Sequence, residues 1–420
     1  MMREMKDSGI EWLGSIPKDW HLERLQWHLN EVNISNNPIK TEQILSLTNK
    51  LGVIPYEEKG NQGNKSKENY SEYKLAYPNT IVANSMNVII GSVGISNYFG
   101  CVSPVYYVFK PLAKESIEFI NYVFQTVGFQ KELRKYANGI LEIRLRVSAD
   151  GILKRPIPYP SLEEQERISN YLAEKCSEID SVTFEIQSQI DLLEQYKQSL
   201  ITESISKGID GHPMTVSHEV PWISGIPRGW RMSKIKYEII PLNRNVENDD
   251  EVITCFRDGQ VTLRKNRRED GFTVSYTENG YQGVNEGDLV IHGMDTFAGA
   301  IGCSDSRGKC SPVVHVCKTS GNNRYFMYCL RSMAKNDVLW FYANGVRVRS
   351  SDFRNFSSLG RFTILVPPQK EQDAIVEFLD NKCEDIDAVV AFKKSQLSIL
   401  DECKKSLIYE YVTGKKEVTV

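Results

Sequence analysis

The densest cationic run in this 420-residue chain is Arg264-Lys265-Asn266-Arg267-Arg268, in a turn-rich stretch between Val261 and Phe272 and shortly after Arg257. Such a loop can meet phosphate oxygens or enter a major groove, where arginine reads guanine and asparagine reads adenine. The competing reading is a solvated hairpin tip whose charge is balanced by Glu269 and Asp270, because exposed ion pairs of that kind are common and weak. The corresponding part of the first half carries Lys50, Lys59, Lys65 and Lys67 among Asn61, Gln62, Asn64 and Asn69. Its donors and acceptors differ, so a different sequence preference follows if these loops read bases. Arg144 with Arg146, and again Arg347 with Arg349, alternate beside two Asn-Gly turns and would put two cations on one side of a strand. Phosphate positioning is the functional reading of these pairs, and scaffold ion pairs the plain one.

Residue patterns for catalysis do not assemble. A phosphate-cradling loop ends in Gly-Lys-Ser/Thr, whereas Gly308-Lys309 has the wrong spacing and Cys310 in place of the hydroxyl. Amino-group methylation needs an Asn/Asp-Pro-Pro-Tyr/Phe-like loop to grip a flipped base, which Asn36-Asn37-Pro38-Ile39 does not supply. Cys303, Cys310, His315 and Cys317 follow strand alternation without close cysteine pairs, against a tetrahedral zinc site. The six histidines include no His-x3-His pair, and Cys176 and Cys383 read as small buried helix positions rather than nucleophiles. No catalytic residue and no metal ligand is expected.

The elements that must position the cations are written twice, with an offset of about 206 to 210 residues. Trp12-Leu13-Gly14-Ser15-Ile16-Pro17-Lys18-Asp19-Trp20 returns as Trp222-Ile223-Ser224-Gly225-Ile226-Pro227-Arg228-Gly229-Trp230. Gly91, Gly94 and Ser103-Pro104-Val105 return as Gly299, Gly302 and Ser311-Pro312-Val313, and Tyr136-Ala137-Asn138-Gly139 as Tyr342-Ala343-Asn344-Gly345. From Pro160 to Glu203 against Pro367 to Glu410, roughly 18 of 44 aligned positions are identical without a gap. The stretch from Lys50 to Tyr77 and its counterpart from Asp258 to Asn285 have diverged most.

Leu172, Ile179, Ile186, Leu193 and Leu200 fall on every seventh position, with Ile168, Val182 and Tyr196 between them. This spacing predicts a coiled-coil seam on a long helix, capped by Ser161 and Glu164 and stopped at Gly208. The second copy has Leu379, Ile386, Leu400 and Leu407 with Ile375, Val389 and Cys403, but Lys393 interrupts it where the first has Ile186. Two such helices in one chain pair most simply as an antiparallel coiled coil about an approximate twofold axis. Short strands at 80–83, 88–90, 105–109, 288–291 and 313–316, followed by helices at 117–136 and 324–342, make the remainder α+β. The expected fold is therefore an internally duplicated α+β chain of four parts. A first globular domain spans 1–159, a central helical spacer 160–208, a second domain 209–366 and a C-terminal helical spacer 367–415.

Lys plus Arg total 51 against 54 Asp plus Glu, so nucleic-acid binding would rest on local patches rather than on a global field. Nine cysteines without a Cys-x-x-Cys pair suit a reducing cytoplasm, and no apolar stretch is long enough for a membrane span.

The paired Ile-Pro-x-x-Trp starts (Ile16 to Trp20, Ile226 to Trp230), the Pro-x-x-x-Glu-Gln openings (Pro160 to Gln165, Pro367 to Gln372) and the long helices after them resemble the specificity subunit of bacterial type I restriction-modification systems. The resemblance covers essentially the whole chain. It implies two target recognition domains, each reading one half of an interrupted sequence in double-stranded DNA, with the helices acting as a ruler for the unread gap. It also implies a non-catalytic subunit without cofactors of its own. Two modification subunits would bring S-adenosylmethionine and methylate adenine N6, and restriction subunits would bring ATP and magnesium. The helices and their flanks would dock the modification subunits, with Gln165 and Gln372 as candidate contacts. A reading of another class is a coiled-coil adaptor that binds protein ligands through its two α+β domains, with no salt-dependent affinity for DNA.

Overall fold

The computed structural model describes residues 3–48, 51–59, 69–112, 116–138, 145–211, 213–267, 279–341 and 353–418. The chain gathers into two compact units, Met1–Gln187 with Lys394–Val420 (unit 1) and Ser188–Lys393 (unit 2). These cut across the expected four parts: each unit joins one α+β domain to the adjoining portions of both long helices.

Unit 1 opens with strands β1 (Met5–Asp7), β2 (Ser15–Pro17), β3 (His21–Arg24), β4 (Leu29–Glu31), β5 (Leu45–Thr48) and β6 (Gly52–Pro55). β7 (Lys74–Ala76), β8 (Thr80–Asn84), β9 (Val93–Ser96), β10 (Gly100–Val102) and β11 (Tyr106–Pro111) follow. Helices α1 (Ile117–Gln125), α2 (Val127–Arg134) and α3 (Ala149–Leu153) then lead through β12 (Pro156–Tyr159) into the long α4 (Leu162–Lys207).

The central sheet of unit 1 is antiparallel, in the order β4-β11-β8-β9. All five residues of β8 are buried. Successive strand side chains point to opposite faces: Ile81 and Ala83 pack with Phe119, Ile120 and Val123 of α1, while Val82 packs with Leu45, Leu47 and Val53 of the β5–β6 hairpin. Covering both faces is why β8 reads as an unbroken apolar run. Fully buried Phe109, Phe119, Phe124 and Phe129 anchor the larger core, at about 2 kcal/mol each for the area removed from water.

Three local expectations need correction. The helix expected over 324–342 is two, Asn323–Lys335 and Val338–Phe341, parted where Asn336 ends the first and Asp337 takes φ 58°; residue 342 lies outside the described residues. The apolar spacing over 117–136 gives two helices, because Thr126 turns extended and its hydroxyl accepts the Phe129 N–H, ending α1 and capping α2. The predicted strand at 88–90 is a single 3-10 turn, closed by Gly91 at φ 81°.

Unit 2 repeats this plan. It holds β13 (Met214–Val220), β14 (Ile223–Pro227), β15 (Arg231–Lys234), α5 (Ile235–Glu238), β16 (Ile239–Pro241), β17 (Ile253–Cys255), β18 (Val261–Leu263) and β19 (Gln282–Val284). β20 (Leu289–His292), β21 (Ile301–Cys303), β22 (Gly308–Cys310) and β23 (Val314–Thr319) come next. Last are α6 (Asn323–Lys335), α7 (Val338–Phe341), α8 (Phe356–Leu359), β24 (Thr363–Val366) and the long α9 (Gln369–Val412). The sheet order β16-β23-β20-β21 is that of unit 1, and Leu289 and Ile291 face α6 while Val290 lies under the β17–β18 hairpin.

Ser161 caps α4 by accepting the Glu164 N–H. Glu164 does not return the bond: its carboxylate accepts instead from Trp20 Nε1 at 3.0 Å and from Arg3, fastening the helix start to unit 1. Within unit 1, Tyr171 meets Tyr411 with ring centres 4.6 Å apart, and Asp180 meets Lys404 at 2.6 Å. Within unit 2, Gln189 meets Lys393 and Lys197 meets Asp387, each at 2.6 Å. Rising numbers on α4 meet falling numbers on α9, so the helices are antiparallel in each unit. Asp180 and Asp387 are one position of the duplicated sequence and Lys197 and Lys404 another, so one ion pair is made twice. Lys393 gives the seam a polar contact where an interruption was expected.

The second row of the seam lies four residues after each residue of the first: Cys176, Thr183, Ile190 and Lys197 on α4 are buried or half-buried. The expected Val182 and Tyr196, and Val389 and Cys403 on α9, lie three residues after and are exposed. In each unit they belong to a second, outward apolar row. In unit 1 it includes Val182 and Ile399, and in unit 2 their counterparts Val389 and Leu192 together with Tyr196. Among the described residues no helix is long and apolar enough to cross a membrane.

Candidate nucleic-acid interface

The diverged segments begin in the hairpins β5–β6 and β17–β18, and each hairpin rests on a glycine of the sheet beneath. A Cβ on Gly94 would come within 2.9 Å of the Gly52 Cα, and one on Gly302 within 2.0 Å of the Gly259 carbonyl oxygen. A side chain at either position would lift the hairpin off its sheet. The repeat of Gly94 as Gly302 thus has a physical cause: it seats variable turns on a constant frame.

In unit 2 the turn after β17 runs through Arg257 and Gly259, and the chain leaves β18 as a single 3-10 turn, Arg264–Asn266. Here the described cations of the run lie close together, held by groups of the hairpin and of its neighbours. Lys265 pairs with Glu251 at 2.5 Å, Arg267 with Asp258 at 2.7 Å and Arg257 with Asp295 at 2.9 Å. Arg264 Nε donates to Thr254 Oγ1 at 3.4 Å, and Asn266 Nδ2 to Thr262 Oγ1 at 2.9 Å. Arg267 also lies 4.2 Å from the centre of the Phe256 ring. The balancing carboxylates among the described residues are therefore Glu251, Asp258 and Asp295; Arg268, Glu269 and Asp270 lie outside those residues. Exposed pairs of this kind are worth about 0 to 1 kcal/mol each. A phosphate forming charge-assisted bonds competes with them readily, so the pairing orders the cations without withdrawing them.

Arg331, on α6, is a cation that sequence reasoning passed over. Its guanidinium fills the space under Gly259, where a Cβ would fall 1.3 Å from Nη1, and burial lowers its pKa against the opposing pull of Asp258. It supports the hairpin tip from below. A lone arginine among helix residues gives no signal of that in sequence.

Arg146 is exposed, and its backbone bonds Asn138 in both directions at 2.8 and 2.9 Å; Gly139 lies outside the described residues. Lys50, Lys65, Lys67, Arg144, Arg347 and Arg349 lie outside the described residues. Gln165 and Gln372, expected to meet partner subunits, are 0% and 3% exposed. Each donates Nε2 to the carbonyl of its own Pro-x-x-x-Glu-Gln opening, Pro160 and Pro367, at 3.0 Å. Amides buried in the chain itself present no surface to a partner, and these two tie the long helices to the residues that precede them instead.

The two frames also carry different charge at one equivalent place. Glu238 of α5 is buried, takes both Arg231 nitrogens at 2.6 and 2.9 Å, and accepts from the hydroxyls of Ser233 and Ser320. Arg231 foremost holds its carboxyl down at about 2. His28 is the counterpart of Glu238 in unit 1, stacked on Tyr159 and facing Glu23 at 2.9 Å. Burial pushes the Cys303 and Cys310 thiols up to about 12 and raises Cys176 and Cys383 as well. At neutral pH such thiols are protonated, poor nucleophiles and poor ligands. Among the described residues no group of three or more His, Cys, Asp or Glu is placed to hold a metal ion.

No family model matches the chain. A curated protein of Methanocaldococcus jannaschii, described as a "putative type I restriction enzyme MjaX specificity subunit", is 22% identical over 300 residues, covering 69% of this chain. The match takes in 66% of that relative, so the chain spans just under two thirds of its length. Among solved structures, a chain from work described as the structural basis of complex assembly and conformational transition of the type I R-M system matches with TM-score 0.69 and 12% identity. That match covers 96% of this chain and 99% of the other, and it shows a shared fold. The crystal structure of the HsdS subunit from Thermoanaerobacter tengcongensis matches at TM-score 0.49 and 12% identity, over 96% of this chain and 98% of that one.

Proposed function

From the premise that this chain is a relative of type I restriction specificity subunits in sequence and in fold, we propose that it is the non-catalytic DNA-reading subunit of such a system in the cytoplasm. Each unit reads one half of a two-part target in double-stranded DNA, across a gap that neither touches. The observation that carries this reading is the contrast between constant frame and variable hairpin: the glycine seat and the helix ion pair repeat, while the polar residues of the hairpins differ. Two different sets of donors and acceptors on one scaffold is what two different half-sites require. The cations Arg257, Arg264, Lys265 and Arg267 bind phosphate or base edges by exchanging their weak internal partners.

Partners attach along the outward apolar stripe of the helices. Val182 with Ile399 in unit 1 and Val389 with Leu192 in unit 2 repeat the same exposed positions, which suits two copies of one modification subunit. S-adenosylmethionine belongs to those subunits, and ATP with magnesium to restriction subunits.

The test is methylome sequencing of a host carrying this gene with its neighbouring modification gene, against a deletion of this gene alone. Loss of a gapped, two-part adenine-methylation motif is expected. Survival of every methylated motif while the modification gene is expressed would overturn the reading and favour the protein-binding adaptor.

A further inference from the structure

The tip of the β17–β18 hairpin is a tight turn in which the Phe256 N–H donates to the Gln260 carbonyl and the Gly259 N–H to the Phe256 carbonyl, each at 2.9 Å. It exposes Arg257, Asp258 and Gln260, and Asp258 and Gln260 both accept from Arg267 Nη1, at 2.9 and 3.3 Å. A guanidinium, a carboxylate and a carboxamide, all able to read base edges, thus share one small surface. Gly259 closes the turn at φ 91°. Its underside is filled by Arg331 of α6, whose Nη1 and Cζ occupy the place that a Cβ would take. Arg331 holds the turn by that contact and by the attraction between its charge and Asp258.

Unit 1 lacks this prop. Ser116 and Asn322 cap equivalent helices, and nine residues after them stand Gln125 and Arg331. Gln125 donates Nε2 to the Val93 carbonyl of β9 at 3.1 Å. Gly52, which crosses Gly94 as Gly259 crosses Gly302, has nothing nearer to its Cβ position than the Gly94 Cα at 4.0 Å. One helix position therefore serves the sheet in unit 1 and the hairpin tip in unit 2.

We propose that Arg331 is a specificity-determining residue of unit 2 that acts through the turn, fixing where Asp258, Gln260 and Arg267 stand against base edges. It is a positioning residue, and the inference rests on the DNA-reading role. Discrimination between bases needs donors and acceptors held to about 0.5 Å, and a planar guanidinium packed on the turn supplies that support. Glutamine, the residue of unit 1, is shorter and neutral. In place of Arg331 it leaves space under Gly259 and removes the charge that draws Asp258.

The test is methylome sequencing of hosts that carry the neighbouring modification gene with the wild-type chain, Arg331→Gln or Arg331→Lys, scoring sites that differ from the wild-type motif by one base pair. Arg331→Gln is expected to raise methylation at variants of one half-site about tenfold relative to the full motif and to leave the other half as strict as before. Arg331→Lys, which keeps the charge without the planar group, should fall between. A purely structural role would lower methylation at every site alike. That result in a chain whose unit 2 hydrogen exchange is unchanged overturns the inference, as does an unaltered motif or equal relaxation of both halves. Where Arg331→Gln unfolds unit 2, Arg331→Lys decides between the same results. A wild-type chain that directs no gapped motif overturns the DNA-reading role and this inference with it, whereas the other adverse results overturn this inference alone.

Discussion

Units 1 and 2 share a strand order, a glycine seat and a helix ion pair, yet at the end of the turn that follows β3 or β15 one has His28 facing Glu23 and the other has Glu238 clasped by Arg231. The Leu112 N–H bonds the His28 carbonyl in the first, and the Ser320 N–H bonds the Glu238 carbonyl in the second, at 2.8 and 2.7 Å. Backbone geometry has therefore been kept while the side chains around it were rebuilt, an imidazole in one unit and a carboxylate clasped by a guanidinium in the other. The lesson is that the frame is defined by close backbone approaches and the contents by side chains. A change to the first kind of feature should act alike in both units, and a change to the second kind in only one.

The largest effect is expected at the glycine seats. Gly302→Val places side-chain atoms into the Gly259 carbonyl and should cost about 4 kcal/mol of unit 2 stability. Gly94→Val should do the same to unit 1 with a smaller penalty, because its contact is less close. Hydrogen exchange at the β5–β6 and β17–β18 hairpins checks this, and a harmless Gly302→Val would break the argument that the frame rests on this approach.

Next in size is Glu238→Gln, which should destabilise unit 2 by about 2 kcal/mol once the exposure of Arg231 is allowed for and leave unit 1 untouched. Because the Glu238 carboxyl is held at about 2 in the fold against an ordinary 4.5, its contribution is fully present above pH 4.5. It is lost as pH falls from there towards 2, and the variant should lack that part of the acid sensitivity in a pH series of thermal unfolding. The smallest effect is at the helix pair: Asp180→Ala and Asp387→Ala should each cost about 0.5 kcal/mol. Their near-equality, measured by chemical denaturation, would sharpen the claim that the seam is repeated, and a marked inequality would weaken it.

Sequence made the duplication and the long helices plain because both leave periodic signals that survive divergence. The exact seam was harder. Val182 and Val389 are as apolar as the true seam residues, and only three-dimensional packing tells the inward row from the outward one. The helix break at Thr126 and the glycine seats were visible as residue types, but their reasons, a cap and a backbone crossing, involve neighbours distant in sequence. The cationic run was legible as residue types, whereas its partners Glu251, just before β17, and Asp295, in the turn after β20, were not. Gln165 and Gln372 looked polar and therefore external, because sequence does not show that a carboxamide has a backbone carbonyl within reach.

Unit 2 is one uninterrupted stretch, while unit 1 is finished only by residues from beyond it. Tyr171 waits for Tyr411, 240 residues later, and Ile168, Leu172 and Cys176 share a core with Ile408 and Val412. During synthesis, which proceeds at about 5 to 20 residues per second, the second-written unit can complete its core first. The first-written one must keep an apolar helix face uncovered for many seconds more. The order of folding then runs opposite to the order of translation, and the incomplete unit 1 is the species most exposed to aggregation and most in need of a chaperone.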